Sequence, residues 1–260
     1  MNSNPELSVV IPAFNESRRI ATTLEKISAY LRERQLDYEI LVVDDGSSDA
    51  TVEVVTQHAE LGVRVLSLPQ NQGKGAAVRR GVIASRGRRV LFSDADLSTP
   101  IEELAKLEPY LDEAPLVLGS RAVEGSDVQK RQPLYRELMG KTFNKLIRLA
   151  GVWGVKDTQC GFKLLDGEVA RELFEDLVTP GFAFDVELVW LAGRRGYRVA
   201  EVGVVWVNSA DTRVRALIDP PRMIAEIIRF RWRHFFAKGR RANDGPAKDG
   251  PSKDHRAVDR

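Results

Sequence analysis

The chain has 260 residues, enough to bury a full core and closer to one domain than to two. Its apolar fraction of 43% and charged fraction of 29% are those of a soluble globular protein, and a net charge of +2 excludes a polycation built to hold nucleic acid. A single cysteine, Cys160, excludes an intrachain disulfide and fits a reducing compartment. The polar stretch Met1 to Glu6 has no signal-peptide pattern, and no run reaches the roughly 20 apolar residues that span a bilayer.

Five short apolar runs open the chain: Leu7 to Ile11, Tyr38 to Val43, Val63 to Leu68, Arg89 to Phe92 and Leu116 to Gly119. They are rich in β-branched residues and unbroken by polar alternation, so they read as strands buried on both faces of a mostly parallel sheet. Ile20, Leu24, Ile27 and Leu31 recur at helical spacing between the first two. Ser48 or Asp49 is placed to cap a second helix through Val52 and Val55. Gly73 to Ser85 carries a third helix, and Ile101 to Leu111, with Pro100 at its first turn, a fourth. This alternation predicts an α/β fold, a Rossmann-like, mostly parallel sheet flanked by helices.

Beyond Arg121 the pattern changes. Val123 to Pro133 reads as a polar, mobile loop, Leu134 to Leu149 as a helix, and Gly151 to Phe162 as an irregular Gly-rich segment. Phe184 to Gly193 is expected as a helix and Tyr197 to Val207 as one alternating strand. Pro220 and Pro221 open a last helix at about 220–238. The domain is therefore expected over residues 1–238, with 239–260 a disordered polar tail.

Ligands of open α/β sheets bind beyond the carboxyl ends of the strands. Here three strands end in acids: Pro12-Ala13-Phe14-Asn15-Glu16, Asp44-Asp45-Gly46-Ser47 and Ser93-Asp94-Ala95-Asp96. Carboxylates gathered on one sheet edge repel unless a cation or hydrogen-bond donors sit among them. Asp94 and Asp96 suit Mg²⁺ or Mn²⁺, bound through one or two carboxylates with the other positions left to water and phosphate. Asp44 suits a base N–H or a ribose hydroxyl, while Asp45-Gly46-Ser47 equally suits a capping turn, as does Glu16. Lys74, bracketed by Gly73 and Gly75 before a helix, suits a phosphate, although a plain strand-to-helix turn explains it as well. Asp185 at a helix start suits a cap, an orienting group, or a general base shared with Glu187. Cys160 has no nearby His and reads as structural.

Four segments in order, Val-Val-Ile-Pro-Ala-Phe-Asn-Glu (9–16), Val-Val-Asp-Asp-Gly-Ser (42–47), Asn-Gln-Gly-Lys-Gly (71–75) and Asp-Ala-Asp (94–96), resemble the inverting family 2 glycosyltransferases of the GT-A fold. Gly119-Ser120-Arg121, Asp157 to Lys163 and Ala183 to Leu188 resemble the dolichyl- or polyprenyl-phosphate β-glucosyltransferase branch. The resemblance implies transfer of glucose from UDP-glucose to a polyprenyl phosphate. It matches Pro12, Ala13, Glu16 and Asp44 to positions that cradle the nucleotide, and Asp94 and Asp96 to the metal and diphosphate site; Asn15, Asp45 and Lys74 are placed with the nucleotide beside them. The acceptor phosphate falls to Arg121, Arg131 and Arg136, with Asp96, Asp185 and Arg121 at the reacting centre. GDP-mannose, a UDP-N-acetylhexosamine, a hydroxyl acceptor and an inactive sugar-nucleotide-binding scaffold are the alternatives.

A lipid acceptor requires membrane contact. From Pro221 to Arg241 seven basic residues face one acid, Glu226. Arg222, Arg229, Arg233 and Arg240 share one side of the helical wheel, and Ile224, Ile227, Ile228, Trp232 and Phe235 the other. This pattern suits a helix lying on an anionic surface, at the cytoplasmic face of a membrane, with Arg231 snorkelling from the apolar stripe. A helix packed on the domain with a basic outer face is the alternative.

Overall fold

The computed structural model describes residues 4–129, 154–207 and 219–243. Seven strands form one sheet: β1 (Leu7–Ala13), β2 (Tyr38–Asp44), β3 (Val63–Ser67), β4 (Arg89–Ser93), β5 (Leu116–Ser120), β7 (Phe162–Asp166) and β8 (Val199–Gly203). Their spatial order is β3-β2-β1-β4-β7-β5-β8. All neighbours are parallel except β7, which is antiparallel to both β4 and β5. The chain reverses its direction of travel across the sheet at β1, which pairs with β2 on one side and β4 on the other. In an open α/β sheet this switch point, at the carboxyl ends of β1 and β4, is where ligands bind, and the acidic segments lie there.

The strands are continuously apolar because both sheet faces are covered. Val9, Ile11, Ile40, Val42 and Leu91 face α1 (Ile20–Glu33), α2 (Thr51–Thr56) and α4 (Leu104–Leu107). Val10, Leu41, Val43, Val90 and Phe92 face the other layer: α3 (Lys74–Ala84), α5 (Gly167–Asp176), α6 (Phe184–Arg194) and α7 (Asp219–Asn243). Ile20, Leu24, Ile27 and Leu31 of α1 are wholly buried, each worth about 1.5–3 kcal/mol in removed apolar surface. The helix ends where Gln35 turns left-handed at φ 54°.

Several elements depart from the sequence reading. The expected helix over Ile101 to Leu111 is broken into a 3-10 turn, the four-residue α4 and a second 3-10 turn over Glu108–Tyr110, where Pro109 has no N–H to extend an α-helical ladder. Strand β7 and helix α5, which Asp166 caps by accepting from Glu168 and Val169 N–H, carry no expectation from the sequence. Asp127–Gln129, expected in a loop, forms β6 and pairs in parallel with β9 (Val205–Val207). The expected strand over Tyr197 to Val207 thus splits. At Val204, which donates to Ser120 O, the chain leaves the main sheet to run beside β6. Helix α7 continues to Asn243, past the expected end at 238 and into the segment expected to be disordered. The helix expected over Leu134 to Leu149 lies outside the described residues.

Candidate active site

The end of β1 is tied to the end of β2. Ala13 stands opposite Asp44, and its carbonyl accepts the Asp45 N–H at 2.8 Å. Asn15, at φ 52°, accepts from Ser48 N–H and donates its own N–H to Ser47 Oγ. Glu16 is buried and ion-paired with Arg19, while its N–H reaches Thr51 Oγ1 at 2.8 Å. The cap position of helix α2 is Ala50, not the expected Ser48 or Asp49, although Asp49 accepts the N–H of Thr51, the first helical residue. Residues Pro12, Ala13, Asn15 and Glu16 are thereby joined to the segment that begins at Asp44.

Asp44 and Asp45 divide the work. The Asp44 carboxylate accepts Ser47 N–H and closes its own turn. Asp45 reaches across to the next segment, its two oxygens accepting Gln72 N–H at 2.7 Å and Gly73 N–H at 2.9 Å. Burial holds its carboxyl above the usual range, against these two donors. The bond fixes the start of α3. Gly73 sits at φ 107°, with Pro180 O where a Cβ would stand, so a side chain is excluded there on two counts.

That start delivers Lys74. Its ammonium lies 2.7 Å from Asp94 Oδ1, with 20% of the lysine and 31% of the aspartate side chain still exposed. Burial works against the charge, yet Asp94 and then Asp185 outweigh it and raise the lysine pKa. Asp94 is pinned from behind by Gly161, whose carbonyl accepts Asp94 N–H at 3.1 Å and whose missing side chain makes room for the carboxylate. Asp96 accepts Ser98 N–H through Oδ1. The expected repulsion among strand-end acids is therefore met by donors and ammonium groups.

A second lysine, Lys163, was not singled out from the sequence. It is wholly buried on β7 beside Phe92 of β4, 2.6 Å from Asp185 Oδ1 and 2.5 Å from Cys160 O. Lys74 and Lys163 both lie over the Phe92 ring, at 5.3 and 5.4 Å. Asp185 is not a cap, because Ala183 occupies that position and the carboxylate turns inward to Lys163. Burial keeps its carboxyl above the usual range, against Lys163 and Lys74. A buried lysine in the middle of a strand demands a carboxylate partner, and that was the available signal in Phe162-Lys163-Leu164-Leu165.

Arg121, at the end of β5, is held by Asp157. The carboxylate accepts Arg121 N–H, Nε and Nη2 at 3.0, 2.7 and 2.8 Å, and the guanidinium also lies over Trp206. Burial opposes the charges of this pair, but the mutual bonds prevail: they raise the arginine pKa and lower that of Asp157. Glu201 of β8 orients the carrier loop by accepting Lys156 and Asp157 N–H. Cys160 in the same loop is buried, which pushes its thiol up to about 11 and leaves it a packing group. Arg131 and Arg136 lie outside the described residues.

Glu187 is wholly buried on α6. It accepts Val178 and Thr179 N–H and lies 2.7 Å from His234 Nε2 of α7, while Glu226 of α7 accepts Ala183 N–H. These carboxylates hold the segment 178–183, whose Pro180 O accepts Ala76 N–H near Lys74. Met223, Ile227 and Phe230 bury one stripe of α7. Arg231 is exposed and rests over Trp190 of α6 at 5.8 Å.

Among the described residues no cluster of three or more His, Cys, Asp or Glu side chains forms a metal cage. The pair Asp94 and Asp96 still fits a divalent cation of the kind that takes one or two carboxylates and fills its sphere with water and phosphate. A cation, the Lys74 ammonium, already rests on Asp94.

A mostly parallel sheet with one antiparallel insert and acids at the switch point has the GT-A fold of glycosyltransferases. The same fold is seen in glucosyl-3-phosphoglycerate synthase of Mycobacterium tuberculosis, solved with Mn²⁺, UDP-glucose and phosphoglyceric acid. The TM-score is 0.65 at 24% identity, over 87% of this chain and 79% of that one. The model of glycosyl transferase family 2 matches residues 8–174, and the chain belongs to that family. It is 43% identical over 220 residues to a dolichyl-phosphate β-glucosyltransferase of Trichomonas vaginalis, covering 79% of this chain and 65% of that protein. With the dolichyl-phosphate β-glucosyltransferase of Dictyostelium discoideum it shares 35% over 252 residues, 90% of this chain and 77% of the relative. The chain thus spans slightly less than two thirds of the Trichomonas protein.

Proposed function

We propose that the protein transfers glucose from UDP-glucose to a polyprenyl phosphate of the dolichyl type, with inversion at the anomeric carbon. The observation that carries the reading is Asp94, set at the end of β4 between the Lys74 ammonium and Gly161. The names of the relatives support the sugar and the lipid. In this reading the stretch from Pro12 to Glu16, with Asp44, takes the nucleoside, and Asp45 keeps the Lys74 turn in place. Asp94 and Asp96 hold Mg²⁺ or Mn²⁺, which when bound offsets the charge developing on the departing diphosphate.

The acceptor needs no general base, because a phosphate monoester is already anionic at neutral pH. It needs a fixed guanidinium. Arg121 suits this, since Asp157 engages Nε and Nη2 and thereby orients the remaining edge. Arg131 and Arg136 are assigned with it to the acceptor phosphate. A hydroxyl acceptor, with Asp185 or Glu187 as base, fits less well: Asp185 is buried against Lys163, and Glu187 is engaged by two backbone N–H groups and His234.

No described helix is long and apolar enough to cross a membrane. We assign α7 to an anionic lipid surface at the cytoplasmic face. Trp232 and Phe235 are 66% and 74% exposed, Ile228 and Phe236 lie with them, and Arg229 and Arg233 are exposed on the same helix.

The test is transfer from labelled UDP- and GDP-sugars to a short polyprenyl phosphate, with and without EDTA. Metal-dependent formation of a lipid-phosphate glucose from UDP-glucose is expected. Donor binding without lipid product from any sugar would remove the lipid-acceptor reading.

A further inference from the structure

Helix α3 starts without a capping side chain. Its cap position is Gly73, which has no oxygen to offer the free N–H groups of the first turn. An acceptor comes instead from the segment before α6, where Pro180 O takes Ala76 N–H at 3.1 Å. The approach is close along the whole turn. Pro180 O stands where a Cβ of Gly73 would be, and Thr179 O and Gly181 O where a Cβ of Gly75 would be. Lys74 lies between these two glycines, so segment 178–183 fixes the turn from which its ammonium projects.

That segment is neither helix nor strand, and carboxylates hold it at both ends. Glu187 of α6 accepts Val178 and Thr179 N–H. Glu226 of α7 accepts Ala183 N–H at 3.1 Å, and its Oε1 lies against Gly181, where a Cβ would collide with it. Glu226 is also the one acid between Pro221 and Arg241, on a helix otherwise charged by seven basic residues. A hydrogen bond from a backbone N–H to a carboxylate is among the stronger kinds, so this acid is well suited to fix the loop it meets.

We propose that Glu226 is a positioning residue for the sugar nucleotide. Through Ala183 N–H and Gly181 it keeps the Pro180 carbonyl on the start of α3, and the turn capped in this way presents Lys74 to the diphosphate of the donor. Glu226 takes no part in the chemistry and acts only through the backbone of segment 178–183. This rests on the function proposed above, with Lys74 on the donor's phosphates.

UDP binding by titration calorimetry with Mn²⁺ present, beside urea unfolding of each variant, tests this. Glu226→Ala should bind UDP about tenfold more weakly, the scale on which substitutions outside a ligand's own contacts shift its affinity. The KM for UDP-glucose should rise in step, while the KM for the polyprenyl phosphate stays where it is. Glu226→Gln keeps an oxygen that can accept Ala183 N–H and should restore most of the affinity. Gly181→Ala attacks the same contact from the other side, since its methyl group displaces the carboxylate. It should weaken UDP binding by itself and add little to Glu226→Ala. Lower unfolding midpoints with unchanged UDP affinity, the mark of a purely structural role, overturn the proposal. So do equal losses in Glu226→Ala and Glu226→Gln. Lys74→Met separates this from the reading beneath it. If Lys74→Met binds UDP as the intact protein does, the assignment of Lys74 fails and the proposal falls with it. If Lys74→Met weakens UDP binding and Glu226→Ala does not, only the role of Glu226 is lost.

Discussion

Two carboxylate–cation pairs stand at the ends of neighbouring parts of the sheet, and they are built differently. Asp94 and Lys74, beyond β4, meet at one contact, with both side chains partly open to solvent. Asp157 and Arg121, beyond β5, meet through a fork of two side-chain bonds and a backbone bond, backed by Glu201. The first arrangement can exchange partners, whereas the second cannot without unfolding its loop. The Asp94 end is thus suited to ions that come and go, and the Arg121 end, where the proposed function puts the acceptor, to a charge that must stay in place.

Substitutions should separate the two. Asp94→Ala should lower transfer by about 10³-fold, the scale of losing a charge-stabilising group at a reacting centre, while the unfolding midpoint in urea moves little. Asp157→Ala should do the reverse in emphasis. It leaves a guanidinium without its partner and should cost about 3–4 kcal/mol of stability, read from urea unfolding. The same residue fixes a pH dependence. Its folded pKa is depressed, so its contribution is present above the unfolded carboxylate value of about 4 and is lost as pH falls through the folded value. Asp157→Asn should accordingly flatten the loss of stability below about pH 4.

Gly161→Ala tests whether the donor-side carboxylate depends on its backing. A Cβ there collides with the Asp94 side chain, and the displacement should cost about 10²-fold in transfer with the fold retained. Equal activity would show that Asp94 tolerates a shift, and with it a looser site than the one described. The smallest effect is expected furthest from the chemistry. Trp232→Ala with Phe235→Ala should reduce binding to anionic vesicles by about tenfold or more, as loss of buried aromatic surface implies. Transfer to a short, water-soluble acceptor should be unchanged.

Much of the acidic edge was legible in the sequence because its logic is local. The runs through β1, β2 and β4 are apolar on both faces, and the acids follow directly where the strands stop. The roles within Asp44-Asp45 were not legible. Asp45 bonds to Gln72 and Gly73, and that partnership depends on β3 and α3 returning beside β2. The same holds for α7. Its apolar residues read as one stripe on a wheel, but Met223, Ile227 and Phe230 pack on the domain while Ile228, Trp232 and Phe235 face outward. Only the position of Trp190 and His234 shows where the buried stripe ends.

The sequence by itself determined the layered α/β plan, the acidic edge and the candidate cation pair Asp94 and Asp96, since strand burial and strand-end chemistry are set within a few residues. The tertiary structure decided which cations answer those acids. Lys163 reaches Asp185, and Arg121 reaches Asp157 across 36 residues, because β7 is inserted antiparallel between β4 and β5. Charge compensation inside a fold acts through space, and the partners are chosen by strand order, which no local pattern encodes.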